Sequence, residues 1–189
     1  MKKLLCAALM LFAASTATFA QHEVGSFTLQ PKVGINVATL TDLGDGGKSR
    51  VDFVGGLEGE YQATDLFSLS AGLLYSRQGA KYEVSVAGVK ASDTWQPSYL
   101  NIPILANVYV VKGLAVKAGV QPGFMVDKDD AGDGAKTFDF SIPVGLSYEL
   151  PTVPIVIDAR YNWGLTKVSD GADSKNSVFQ FTVGYKFDL

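Results

Sequence analysis

The sequence predicts an all-β fold, an eight-stranded antiparallel up-and-down barrel, and three observations carry that prediction. Beyond residue 21, apolar and polar side chains alternate with a period of two, and no stretch has the length and periodicity of an amphipathic helix. The alternating stretches number eight. Their connections are alternately short and long, as in a meander with tight turns at one end and loops at the other.

The first element places Phe27, Leu29, Val33, Ile35 and Val37 on one parity and Thr28, Gln30, Lys32, Gly34 and Asn36 on the other, giving an oily and a polar face. In 51–63, Phe53, Leu57 and Tyr61 oppose Asp52, Glu58 and Glu60. In 66–77, Phe67, Leu69, Leu73 and Tyr75 oppose Ser68, Ser70 and Ser76, with Leu66 and Leu74 as apolar exceptions. Strands over 99–110, 114–126, 137–150, 155–166 and 177–189 follow. Thr64-Asp65, Val111-Lys112-Gly113 and 151–154 connect tightly, whereas 41–50, 78–98, 127–136 and 167–176 are long. An even strand count puts both termini at the tight-turn end, which membrane barrels of this kind place in the periplasm.

Residues 1–20 read as a secretory signal peptide: Lys2 and Lys3 form a basic start, Leu4 to Phe12 an apolar run too short for a spanning helix, and Thr18-Phe19-Ala20 a small-residue cleavage site before Gln21. Cys6 lies inside the apolar run, too early for a lipidated N-terminus. The barrel domain is then 21–189, and loss of Lys2 and Lys3 takes the net charge from −3 to −5. A charged fraction of 19% without a basic block excludes a nucleic-acid partner.

Cys6 is the only cysteine, so the mature chain has no disulfide, thiolate metal site or cysteine nucleophile to build. His22 is the only histidine, which removes serine–histidine triads and multi-histidine metal sites. At the new N-terminus it is expected to be a solvated terminal residue. No cofactor and no enzymatic activity are expected.

An eight-stranded meander also suits a soluble lipocalin-like barrel with its oily face around a small apolar ligand. Two observations choose the outside face. Gly34, Gly56, Gly72, Gly119, Gly123, Gly145, Gly164 and Gly184 all share the polar parity, against Gly55 and Gly59 on the apolar one. Glycine weakens a strand unless space is short, and space is short in a narrow lumen. Aromatics also collect at both ends of the apolar face: Phe27, Tyr61, Phe67, Tyr148, Tyr185 and Phe187 near the tight turns, and Phe53, Tyr75, Phe124, Phe138, Phe140, Tyr161, Trp163 and Phe179 near the loops. Two girdles around an aliphatic band describe a transmembrane β-barrel with a polar, plugged interior.

The segments Gly72-Leu73-Leu74-Tyr75-Ser76-Arg77-Gln78-Gly79-Ala80-Lys81, Tyr99-Leu100-Asn101-Ile102-Pro103, Gly119-Val120-Gln121-Pro122-Gly123 and Ala159-Arg160-Tyr161-Asn162-Trp163-Gly164-Leu165 occur in an order that resembles the PorT-like outer-membrane β-barrel family of Bacteroidetes. The resemblance implies an outer-membrane location, an eight-stranded barrel and no catalysis. The family's best-known member takes part in protein secretion, a role that is not carried over to this chain. The closing Val183-Gly184-Tyr185-Lys186-Phe187-Asp188-Leu189 is similar to the terminal signal read by the barrel-assembly machinery, with Phe187 as its aromatic element because the chain ends on Leu189.

Within the lumen the polar parity places Lys32, Lys117, Arg160 and Lys186 with Asp52, Glu58, Glu60, Asp139, Glu149 and Asp158, a mixed-sign set expected to pair and plug a space with room only for side chains. Arg160 is the member whose loss is expected to do most damage. A narrow ion path is the sharper alternative. Asp127-Lys128-Asp129-Asp130-Ala131-Gly132-Asp133-Gly134 resembles a calcium loop but has Ala131 at an acidic position and Phe138 where the closing Glu belongs, so a solvated hairpin loop is expected. Alternation continues at Tyr82, Val84 and Val86 in 78–98, predicting a β-ribbon above the bilayer, with Trp95 near its return, as a candidate partner-binding surface. The expected function is therefore structural or interactive: envelope integrity, secretion accessory or surface binding through the long loops. The expected partners are outer-membrane lipid, the assembly machinery and an envelope or surface protein.

Overall fold

A computed structural model describes residues 22–41, 47–78, 80–86, 89–95, 97–127, 136–169 and 172–189. Among the described residues thirteen strands run in chain order: β1 Phe27–Leu40, β2 Gly47–Lys48, β3 Arg50–Gln62, β4 Phe67–Arg77, β5 Ala80–Val86, β6 Val89–Trp95, β7 Ser98–Asn101, β8 Ile104–Val111, β9 Leu114–Asp127, β10 Phe138–Glu149, β11 Ile155–Ser169, β12 Ala172–Tyr185 and β13 Phe187–Asp188. Ten of them form the main sheet and make eight antiparallel staves, because β7 with β8 and β12 with β13 each form one interrupted stave; β2, β5 and β6 lie outside it. Pairing of β12 and β13 with β1 closes the barrel, so the main sheet has no open edge.

The interruptions have local causes. The fourth stave breaks at Ile102-Pro103, where the Ile102 N–H turns to the Pro122 carbonyl and the Pro103 carbonyl accepts from the Gly72 N–H. The last stave breaks at Lys186, whose N–H turns to the Pro154 carbonyl, and the matching interval of β1 holds Pro31, which has no N–H to donate. Gly113, at φ 85°, supplies the left-handed residue of the tight β8–β9 turn.

Outward positions are apolar and exposed, among them Val33, Ile35, Leu73, Val144, Trp163 and Phe179, while the inward parity carries the buried residues. This overturns the lipocalin-like alternative, whose oily face would turn inward. The girdles are evident: Phe27 faces Tyr61 across β1–β3 and the Tyr185 and Phe187 rings lie 4.6 Å apart at one end. At the other end, Phe124–Phe138 and Tyr161–Phe179 are 5.5 and 4.7 Å apart. The two outward glycines are covered by rings: a Cβ on Gly55 would lie 2.7 Å from Phe53 Cζ, and one on Gly59 2.8 Å from Phe27 Cζ.

Three sequence expectations change. Much of the loop expected over 167–176 is strand, since β11 reaches Ser169 and β12 begins at Ala172, with register shifts after Trp163. These extensions stand beyond the apolar band, where lipid does not enforce alternation, so the sequence pattern fades before the ladder does. The loop over 41–50 carries β2, which joins β5 and β6 in a separate three-stranded sheet. Leu66, expected on the polar side, is exposed in the β3–β4 turn, whereas Leu74 is wholly buried.

Candidate functional site

Five charged side chains meet at mid-height in the lumen: Lys32 from β1, Glu58 from β3, Lys117 from β9, and Asp158 and Arg160 from β11. The sequence makes room for each. Lys32 is in register with Gly56 and Gly184, Glu58 with Gly72, and Lys117 and Arg160 both with Gly145. A long inward side chain thus lies beside a gap on the neighbouring stave. Glycine is demanded there for a second reason, since a Cβ on Gly34, Gly56, Gly119 or Gly145 would collide with a carbonyl oxygen of the adjacent strand.

Glu58 is the hub. It lies 3.0 Å from Lys32 Nζ, 2.8 Å from Lys117 Nζ and 2.6 Å from Arg160 Nη2. Asp158 accepts from Arg160 Nε at 2.6 Å and Nη2 at 2.8 Å, with Lys117 Nζ at 3.3 Å. All five residues are at most 2% exposed, so three cations and two anions fill the cross-section and close it.

A second group sits toward the tight-turn end. Glu60 accepts from Ser68 Oγ and Tyr109 Oη, each at 2.5 Å, and lies 3.1 Å from Lys186 Nζ. Lys186 also donates to Glu149 at 3.0 Å. Asn107 Nδ2 donates to Ser68 and Ser70 at 3.0 and 3.2 Å. His22 corrects the expectation of a solvated terminal residue: its ring nitrogens lie 3.1 Å from Glu149 and 3.2 Å from Asp188. Local sequence gives no sign of this, because the partners are more than a hundred positions away.

Toward the loop end amide and hydroxyl side chains pair within the lumen. Asn36 Nδ2 donates to Ser76 at 2.8 Å, Gln121 Nε2 to Ser141 at 3.3 Å and Asn162 Nδ2 to Gln180 at 3.4 Å. Asp139 takes the Thr166 hydroxyl at 2.5 Å and stands apart from the cation groups. Asp52, expected among the plug residues, is instead half-buried at the mouth, where it holds Arg50 at 2.6 Å and Arg77 at 4.0 Å. It belongs to the strand's inward parity, but its position lies three rows above Glu58. The expected single network is thus three levels.

The sequence identifies most of the charged members and places Ser68 on the polar parity, but does not bring in Tyr109, Asn107 or His22. Asn107 carries the missed signal: it fixes the inward parity of its stave and so places Tyr109 inside.

The ribbon expected over 78–98 is present as the β5–β6 hairpin, pairing Ala80 with Trp95, Tyr82 with Asp93, Val84 with Ala91 and Val86 with Val89. The register puts Trp95 at its base. Residues 128–135, most of the suspected calcium loop, lie outside the described residues. Among the described residues no cluster of three His, Cys, Asp or Glu side chains could hold a metal ion.

A closed barrel, oily outside and sealed by ion pairs inside, defines the class of membrane-spanning β-barrels. The chain belongs to the outer membrane protein β-barrel domain family, whose pattern it matches over residues 4–187. No curated protein matches it. Its fold is similar to that of Ail, the attachment invasion locus protein of Yersinia pestis, at 16% identity over 87% of this chain and 100% of that one, with a TM-score of 0.52. Neisserial surface protein A is similar at 16% identity over 85% and 97%, with a TM-score of 0.53. At such identities the likeness is one of fold.

Proposed function

We propose that the protein is a non-enzymatic outer-membrane barrel whose body is a sealed scaffold and whose working surface is the β2–β5–β6 sheet held at the loop end, where it contacts an envelope or surface partner. The observation that carries this reading is the closed charge layer: with Lys32, Glu58, Lys117, Asp158 and Arg160 at most 2% exposed, solutes have no route through the lumen, and function is left to the surfaces. Tyr82, Val84, Val86 and Trp95 share one parity of the ribbon by register and are its candidate contact residues. A leader over residues 1–20 cut after Ala20, and a final strand through Phe187 read by the assembly machinery, supply the route to the membrane. The PorT-like family of Bacteroidetes is the proposed kinship.

Electrophoresis of the membrane fraction, boiled against unboiled, tests the barrel: a heat-dependent mobility shift is expected, and a soluble periplasmic protein without a shift would overturn the reading. Deletion of residues 81–93 tests the surface. The shift should persist while co-purifying proteins or surface adhesion are lost, and retention of both would remove the ribbon from the proposal.

A further inference from the structure

The carboxylates of the charge layer take two of the three nitrogens of Arg160: Nε and Nη2 donate to Asp158, and Nη2 also to Glu58. Among the described residues Nη1 has no hydrogen-bond partner, and three neighbouring side chains each leave one atom in the same condition. Gln180, directly opposite Arg160 on β12, leaves Nε2. Asn36, opposite Gln180 on β1, leaves Oδ1, and Asn162, the next inward residue of β11, leaves its own Oδ1. All four residues are at most 3% exposed. The amides do not resolve this among themselves. Asn36 is drawn away, its Nδ2 donating to Ser76 Oγ at 2.8 Å and to the Arg77 carbonyl at 3.1 Å. Asn162 Nδ2 donates to Gln180 Oε1 at 3.4 Å, and turning both amides over would leave Nδ2 and Oε1 instead, again one donor and one acceptor.

A polar atom unpaired this deep in a barrel pays the full desolvation of its group, so a partner is required. Arg160 Nη1 and Gln180 Nε2 call for an acceptor, whereas Asn36 Oδ1 and Asn162 Oδ1 call for a donor. An anion would serve only the first pair, and a metal ion or ammonium group only the second. Water both accepts and donates, and a buried water typically holds such groups together. We propose that a bound water is built into the lumen on the loop side of the charge layer, accepting from Arg160 Nη1 and Gln180 Nε2 and donating to Asn36 Oδ1 and Asn162 Oδ1. Charge agrees with a neutral occupant, since Lys32, Lys117, Arg160 and Lys186 are matched by Glu58, Asp158, Glu60 and Glu149. Gly145, opposite Arg160 on β10, brings no side chain to compete for the space. The water completes the hydrogen bonding of the guanidinium and couples the charge layer to the amides above it. With its own bonds taken by four partners it offers no solvation to Glu58 or Asp158, and the layer stays closed.

The test is a crystal structure of the mature barrel grown from a lipid phase, at a resolution that shows ordered solvent, from sodium chloride and in parallel from sodium bromide. A solvent peak within hydrogen-bond distance of Arg160 Nη1, Gln180 Nε2 and the two Oδ1 atoms is expected, with no anomalous bromide signal. Gln180→Leu and Asn162→Leu each remove one of its partners and should lose the peak. The heat-dependent mobility shift checks that each variant folds, and the unsubstituted protein decides the question where a variant does not. Side chains that turn to pair directly, or solvent that touches fewer than three of the four atoms, would overturn the proposal. A bromide peak would do the same by making the occupant an anion, and so would a water peak that persists in both variants.

Discussion

Arg160 donates from Nη2 to Glu58 Oε2 at 2.6 Å across the lumen, joining residues 102 positions apart in the chain. The contact ties β11 to β3, two staves that are not neighbours in the barrel. It acts on the closed barrel as a whole rather than on one hairpin, and breaking it exposes carboxylates that have no water to turn to.

Arg160→Ala is expected to lower unfolding stability in detergent by about 3–5 kcal/mol, the usual effect of removing one partner of a buried pair. Unchanged heat resistance would refute the plug. Charge counting adds a sharper comparison. Without Arg160, two lysines still face Glu58 and Asp158, whereas without Glu58 three cations face Asp158 alone. Glu58→Gln should therefore destabilise more than Arg160→Met in urea titrations of the same preparation.

Tyr109→Phe tests the lower level. Glu60 draws two short hydroxyl contacts, from Tyr109 and Ser68, besides Lys186. A hydrogen bond to a charged group contributes about 1.5–3 kcal/mol, and loss of that order is expected in urea unfolding. Tyr75→Phe, which removes only a 3.0 Å contact to Ser98 nearer the loop end, should cost less.

Gly34→Ala is expected to destabilise by about 1–3 kcal/mol through overpacking. Its Cβ would strike the Phe181 carbonyl oxygen and lie 2.7 Å from Thr182 Cα, both backbone atoms held in the ladder. Gly123→Ala makes a controlled comparison, because the nearest obstacle there is the Asn101 side-chain oxygen, which can turn away. Equal losses in the two variants, read from urea midpoints, would show that crowding by the neighbouring backbone is not what selects glycine.

The architecture is legible in the sequence because lipid outside and a narrow lumen inside both act on alternate residues. Val33, Lys32 and Gly34 illustrate it: the first faces lipid, the second fills the lumen, and the third makes room. What the pattern misses has a physical reason in each case. Polar ladders above the bilayer, such as Lys167 opposite Lys175, escape the alternation because water tolerates either parity. His22 with Glu149 and Asp188 depends on barrel closure bringing the segment before β1 beside β10 and β13, which strand periodicity does not encode. Asp52 shares its parity with Glu58 but not its level, and parity alone carries no height.

Outward arginines measure which face meets lipid. Val144, 51% exposed, lies between Ala118 and Tyr161 and next to Gly145, the neighbour of Arg160 and Lys117, which puts it near mid-height. Val111, 48% exposed, sits at the β8–β9 turn. In a bilayer Val144→Arg should cost about 2–4 kcal/mol and Val111→Arg about 0–1 kcal/mol, because the penalty for a charge falls from the midplane to the interface. The two valines are almost equally exposed, so a water-facing surface would accept both arginines alike. Unfolding of the two variants from lipid vesicles separates the cases: a marked gap supports the lipid belt, and equal, small effects would overturn it.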